Sequence, residues 1–269
     1  MKIFKSFNVL NKEINFNENI GFVPTMGSLH KGHLSLIKIA KMKSKKVLVS
    51  IFVNPAQFND KKDFIKYPRN LSKDISTLKN LKIDYLFLPS NEEIYKKGIK
   101  KKLNIAEKDK ILCAKHRNGH FEGVLAVVNR LLENIPSKYL FLGEKDFQQL
   151  FLIKKYLQSK FKTKIIGCKT IRNKNKLPLS SRNKLISKVS LKKSEKISKT
   201  LISFSNKICK NFNNIKLLYL YRSRIEKLCD DIDYLEIRNF TNLSKKISKK
   251  NFKIFIAYEL NKVRLIDNV

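Results

Sequence analysis

IGFVPTMGSLHKGHLSLIKIAKMKSKKVLVSIFV, residues Ile20–Val53, holds two apolar runs with a helical pattern between them. Ile20–Val23 and Val47–Val53 are continuous in apolar residues rather than alternating, which is the pattern of parallel strands covered on both faces. From His33 to about Ser44, Leu34, Leu36, Ile37, Ile39 and Ala40 form a wide apolar stripe, suited to a helix packed on a sheet. The unit reads as βαβ.

The same alternation continues outward. Leu71, Ile75, Leu78 and Leu81 recur at helical spacing, followed by a strand-like Ile83–Leu88 and a break at PSNEE. After a short apolar segment, Leu103–Ile105, the pattern gives a helix over Phe121–Ile135, a strand over Tyr139–Leu142, a helix over Phe147–Leu157 and a strand over Lys164–Cys168. This rhythm predicts an α/β fold, a Rossmann-like doubly wound parallel sheet. Beyond about Ile171 the rhythm changes. RNKNKLPLSSRNKLIS is polar, helical material runs through Lys210, and Asp233–Arg238 and Phe252–Tyr258 alternate like antiparallel strands. We therefore expect two domains: residues 1–171, carrying this sheet, and a smaller α+β domain, residues 172–269.

Composition bounds the function classes. With 269 residues, 42% of them hydrophobic, the chain can bury a substantial core. Its longest apolar runs fall well short of the roughly 20 residues that cross a bilayer, and MKIFKSFNVLNKEI has no apolar stretch of signal-peptide length, so a soluble cytoplasmic protein without a membrane partner is expected. Cys113, Cys168, Cys209 and Cys229 show no CxxC spacing and read as reduced packing residues, with no zinc site. The formal net charge of +36 raises nucleic-acid binding as a rival reading. Only nine of the 58 basic residues are arginine, the side chain favoured for bidentate recognition of phosphates and base edges, and the lysines are scattered from end to end. Unspecific attraction to polyanions is compatible with that distribution; a specific nucleic-acid partner is not expected.

Open α/β sheets bind ligands beyond the carboxyl ends of their strands, and Pro24–Gly32 is expected to lie between the first strand and the first helix, where unpaired helix N–H groups favour an anion such as phosphate. Gly27 and Gly32 allow close backbone approach, while His30 and His33 can aim ring nitrogens at one phosphate as donors. In nucleotidyl transfer, charge builds on the α-phosphate oxygens, so fixed donors there favour the transition state over the ground state. Either histidine alone reads more readily as an ordinary loop residue. Together, His-x-Gly-His after a strand and a glycine turn resembles the HxGH signature of the nucleotidyltransferase superfamily.

Further motifs narrow the resemblance. VSIFVNPAQF (Val49–Phe58), YPRNLSKD (Tyr67–Asp74), NGHFEGV around His120, FLGEKDFQQL (Phe141–Leu150), LSSRN (Leu179–Asn183) and the terminal RLIDN follow PTMGSLHKGH in this order. The chain resembles the pantoate:beta-alanine ligase family over nearly its whole length. Another HxGH nucleotidyltransferase, such as one acting on phosphopantetheine, would leave NPAQF and GEKDFQQ unexplained. The resemblance implies that pantoate attacks ATP to give pantoyl adenylate and pyrophosphate, that beta-alanine then displaces AMP, and that Mg2+ accompanies the ATP. It also implies a homodimer, and a C-terminal domain serving as a lid that keeps water from the acyl adenylate.

Residue by residue, the resemblance assigns ATP binding to Met26, Gly27, Ser28, Leu29, His30, Lys31, Gly32 and His33, to Gly143, Glu144, Lys145 and Asp146, to a backbone contact at Ile171, and to Leu179, Ser180, Ser181 and Arg182. His33, His30 and Lys145 are the catalytic candidates, with His33 on the family's general-acid histidine. Asp146 could equally be a helix N-cap. The family's pantoate glutamines fall on Gln57 and Gln149, with Asn54 assisting; an amide supplies both donor and acceptor to a substrate with hydroxyls and a carboxylate. Asp74 reads either as a magnesium contact or as an acid opening a helix, and no metal ligand is assigned. Two departures stand out. The family's usual glycine before LSSR is replaced within RNKNKLPLSSR by Lys176, and the arginine of GHFRGV by Glu122.

Overall fold

Apolar continuity along the strands is satisfied by burial on both faces. The computed structural model describes residues 1–96, 102–210 and 216–269. The chain runs β1 (Lys2–Phe4), α1 (Phe7–Glu13), β2 (Ile20–Thr25), α2 (Lys31–Lys43), β3 (Lys46–Ile51), α3 (Lys61–Lys66), α4 (Leu71–Asn80), β4 (Tyr85–Phe87), α5 (Asn91–Ile94), α6 (Cys113–His116), α7 (His120–Asn134), β5 (Tyr139–Gly143), α8 (Phe147–Leu157) and β6 (Lys164–Cys168). Val23, Val47, Val49, Leu86 and Phe141 pack with Leu36, Ile37 and Ala40 of α2 and Leu78 of α4 in one core. The alternate positions Phe22, Leu48, Phe87 and Leu140 are equally buried, so neither face of the sheet is left to water.

The six strands lie in the order β1-β4-β3-β2-β5-β6, and all their pairings are parallel. From β2 the chain winds outward through β3 to β4, then returns to lay β5 against β2, with Gly21 opposite Tyr139 and Phe22 opposite Leu140. Winding therefore reverses between β2 and β5, which makes their carboxyl ends the topological switch point where such sheets hold ligands. One correction follows: β1 and α1 precede the histidine loop, so it leaves the second strand, not the first. Leu103–Ile105 forms no regular element.

The chain divides into the units Met1–Lys169 and Thr170–Val269. In the second, α9 (Lys188–Lys210) and α10 (Lys216–Glu226) precede an antiparallel sheet of β7 (Asp231–Asn239), β8 (Phe252–Leu260) and β9 (Val263–Asn268). Ile197, Leu201, Phe204 and Ile208 recur at helical spacing along α9 and pack with Tyr221, Ile225, Leu235, Ile254, Ile256, Tyr258 and Leu265. The four cysteines are unbridged; burial pushes the Cys168 and Cys229 thiols up to about 11, which keeps both protonated.

Ahead of LSSR the second unit makes a tight hairpin. Arg172 and Pro178 form an antiparallel bridge, Asn173 N–H donates to Leu177 O, and Lys176 N–H donates to Asn173 O, each at 2.9 Å. The turn demands a left-handed residue, and Lys176 takes that role at φ 73°. This gives the substitution of the family glycine a physical meaning, because an L side chain is strained there. Lys176→Gly should stabilise the protein by about 0.5–1 kcal/mol after the extra freedom of glycine in the unfolded chain is subtracted. The urea midpoint, read with an unchanged slope, checks it.

Candidate active site

The loop between β2 and α2 is held by side chains that take its backbone N–H groups one by one. Gly27 (φ 76°) and Ser28 (φ 50°) turn the chain through left-handed conformations. Thr25 donates its hydroxyl to Ser50 O at 2.8 Å and accepts Gly27 N–H at 3.2 Å, which ties the turn to β3. Ser28 N–H and Leu29 N–H donate to the two oxygens of Asp74, each at 2.8 Å. Asp74 lies in the first turn of α4 and is 3% exposed. It therefore acts as a rigid clip for the loop. A Cβ at position 27 would stand 3.1 Å from Asp74 Oδ2.

The two histidines form a capping box at the start of α2. His30, the N-cap, accepts Gly32 N–H at Nδ1 (3.1 Å), and His33 accepts His30 N–H at its own Nδ1 (3.3 Å); the rings lie 4.0 Å apart. A neutral imidazole that accepts at Nδ1 carries its proton on Nε2. The N–H groups of Ser28, Leu29, His30 and Gly32 are thus engaged by side chains. Each ring proton then sits on Nε2, near the positive end of the α2 dipole.

At the neighbouring strand end, β5 runs directly into a single 3-10 turn, Glu144–Asp146, and then α8. A Cβ on Gly143 would meet nothing within 4 Å, so the end of β5 opens onto space at the switch point. Lys145 is mostly buried, with Nζ 3.4 Å from Asp146 Oδ1. Asp146 occupies the N-cap position of α8, but its side chain makes no capping bond, so the capping role left open for it is not realised. Gln148 is buried and donates from Nε2 to Ile111 O at 2.6 Å, whereas Gln149, one position around the same helix turn, is half-buried.

Gln57 is fixed from several sides. It ends a 3-10 turn, Pro55–Gln57, whose N-cap Asn54 accepts Ala56 N–H at 3.1 Å. Asn54 Nδ2 reaches Gln57 Oε1 (3.3 Å) and Gly123 O (3.1 Å), and Asn54 Oδ1 accepts the Tyr95 hydroxyl at 2.8 Å. Burial pushes the Tyr95 phenol well above its ordinary range, so it remains a donor. Gln57 Nε2 lies 2.8 Å from Met26 Sδ, which joins the turn after β3 to the loop after β2. On the other side, His120 Nδ1 meets Gln57 O at 2.6 Å while Arg117 sits 2.9 Å from His120 Nε2. Arginine can only donate, so this His120 carries its proton on Nδ1 and gives it to the Gln57 carbonyl.

The roles of Thr25, Asp74, Tyr95, Arg117, His120 and Gly123 in holding this turn and loop were not read from the sequence, although four of the six lie in or beside the YPRNLSKD and NGHFEGV motifs. Glu122 occupies the first turn of α7, where a carboxylate is favoured by the helix dipole; this gives the charge reversal a local rationale.

In the second unit, Leu179 N–H donates to Ile171 O at 3.0 Å, so Ile171 and Leu179 face each other at the base of the Lys176 hairpin. Ser180 caps the following turn, Ser181–Lys184, by accepting Arg182 N–H at 3.3 Å; Ser181 is buried and Arg182 half-buried. Among the described residues no helix is long and apolar enough to cross a membrane, and no three His, Cys, Asp or Glu side chains gather into a metal-holding group.

The family model for Pantoate-beta-alanine ligase matches residues 2–269. Pantothenate synthetase of Francisella tularensis subspecies mediasiatica is 42% identical over 98% of this chain and 94% of its own. Pantothenate synthetase from Thermus thermophilus superposes with a TM-score of 0.92 at 30% identity, covering 100% of this chain and 99% of that one. The crystal structure of pantoate-beta-alanine ligase from Francisella tularensis complexed with beta-gamma ATP and beta-alanine gives a TM-score of 0.84 at 38% identity, covering 100% and 97%.

Proposed function

The chain belongs to the pantoate-beta-alanine ligase family and is an ATP-dependent ligase joining pantoate to beta-alanine, and we propose that it works through a pantoyl adenylate assembled at the β2/β5 switch point. In the first step a pantoate carboxylate oxygen attacks the α-phosphorus of ATP, and the bond to pyrophosphate breaks. In the second, the beta-alanine amine attacks the acyl carbon, loses a proton, and AMP departs with the electron pair of the acyl–oxygen bond.

His30 and His33 present Nε2–H to the α-phosphate, where charge grows, and Lys145 supplies a positive charge from the adjacent strand end. Met26, Gly27, Ser28, Leu29, Lys31 and Gly32 complete the loop, with Gly143, Glu144 and Asp146 lining the opposite strand end. Gln57 and Gln149, with Asn54 behind Gln57, hold pantoate by its hydroxyls and carboxylate without neutralising the nucleophile. Ile171, Leu179, Ser180, Ser181 and Arg182 contact the nucleotide, and Arg182 spreads positive charge over the departing pyrophosphate. Mg2+ would come with the ATP and offset the charge of its phosphates, and no side chain of this chain is assigned to hold it. Both oxygens of Asp74 already accept backbone N–H groups, so the loop clip is its role in this reading.

The observation that carries the proposal is the Gln57–Met26 contact, which sets the carboxamide for the attacking acid against the loop for the attacked phosphate. Incubation with ATP, Mg2+ and pantoate should release AMP in multiple turnovers only when beta-alanine is added. AMP release indifferent to the amine would defeat the reading. A homodimer in the cytoplasm belongs to the same proposal, and light scattering on the eluted protein reads its subunit number.

A further inference from the structure

We infer that the buried Arg172–Asp267 pair positions the Ser180–Arg182 element for ATP, an inference that rests on the ligase reading above. Asp267 lies near the end of β9, and its side chain is 1% exposed. Its Oδ1 accepts Arg172 Nη2 (2.7 Å) and Asn268 N–H (2.7 Å); its Oδ2 accepts Arg172 Nη1 (2.8 Å) and the Ser198 hydroxyl (3.1 Å). The carboxylate is therefore fixed from β9 and from α9 at once. Each Nη also donates to backbone: Nη1 reaches Lys176 O at 2.8 Å and Nη2 reaches Asn268 O at 2.9 Å.

The guanidinium thus bridges the carboxyl-terminal strand to the tip of the hairpin that leads into LSSR. A buried pair of this kind is poor evidence for stability, since well-packed apolar residues of similar volume often serve as well or better. Its distinguishing property is a planar fork that fixes direction, here toward a turn strained at Lys176. Glu195 of α9 adds a second tether, accepting Asn173 Nδ2 and Asn175 Nδ2 at 2.8 Å each. With its tip held twice, the hairpin delivers Ile171 and Leu179–Arg182 in one orientation. The terminal RLIDN motif, which no role in the reaction had absorbed, then has a function: its aspartate orients a nucleotide-binding turn.

Asp267→Asn keeps the volume and removes the bidentate charge, while Arg172→Lys keeps the charge and removes the fork. In the full chain, Asp267→Asn should raise the KM for ATP about 10-fold or more, the scale expected of a displaced contact, with the KM values of pantoate and beta-alanine within about two-fold. Amide exchange across residues 171–182 should quicken while that of 197–208 in α9 stays as in the parent. Arg172→Lys should show the same split and decides the matter if Asp267→Asn does not fold. An ATP KM within two-fold of the parent, or a parallel rise of all three KM values with faster exchange throughout α9, would overturn the inference. Absence of amine-dependent AMP release from the unmodified protein would instead refute the ligase reading, and the exchange rates alone would then judge the tether.

Discussion

His33→Ala lowers the rate of pantoyl adenylate formation by about 10²–10³-fold, the loss that follows removal of one fixed donor to a developing oxyanion. The side chain does two things, and a second variant separates them. Its Nδ1 accepts His30 N–H within the capping box, and its Nε2–H is the donor proposed for the α-phosphate. Glutamate is a usual residue at the third helical position of a capping box, so His33→Glu can restore the bond to His30 N–H while offering no donor at all. The alanine variant should lose about 1 kcal/mol of stability, as lost caps do, and the glutamate variant should recover most of it. Both should remain slow. Single-turnover formation of the adenylate with ATP and pantoate, read beside thermal midpoints, checks both parts. Parent-like rates in His33→Glu would reduce His33 to a cap.

The sequence carried the sheet well because its signal is local. Continuous apolar runs at β2, β3, β5 and β6, separated by helical spacing, leave a parallel sheet as the natural arrangement. Pieces whose stability comes from partners were hidden. β1 is three residues long and α1 seven, too short for any period to register, and α1 is held by Ser6 at its cap and by Glu93 accepting Phe7 N–H at 2.7 Å. The site divides along the same line. Spacing announced the paired histidines, and the family resemblance alone pointed to the lysine and the glutamines; what positions them could not be announced either way. Asp74 sits 45 and 46 residues from the amides it holds, and Arg172 95 residues from Asp267. The direction of the histidine protons was legible only from geometry, since it depends on which ring nitrogen faces a backbone N–H. Lys176 is the reverse case: its sequence context marked a departure, and its φ supplied the reason.

Gly123→Ala should damage pantoate binding without touching a substrate. A Cβ at this position would stand 2.6 Å from Ala56 C and 3.0 Å from Gln57 N, and closer still to Ala56 O. These are backbone atoms, so no side-chain rotation relieves the clash, and the Pro55–Gln57 turn must move. The same helix grips that turn through the Gly123 carbonyl, which accepts Asn54 Nδ2, and through His120 on Gln57 O. The displacement therefore falls on Gln57 and, through Met26, on the edge of the histidine loop. Overpacking of this kind should remove about 1–3 kcal/mol of stability. A displacement approaching 1 Å should lower kcat/KM for pantoate by about 100-fold. The KM for ATP should change far less, since the clips on Ser28, Leu29, His30 and Gly32 do not run through α7. Gln57→Ala tests whether the loss travels through the carboxamide: if it does, Gly123→Ala combined with Gln57→Ala is scarcely worse for pantoate than either change alone, because residues sharing one function do not add. Full additivity of the two, or an unaltered pantoate KM in the destabilised Gly123→Ala protein, would mean that Gln57 does not hold the attacking acid.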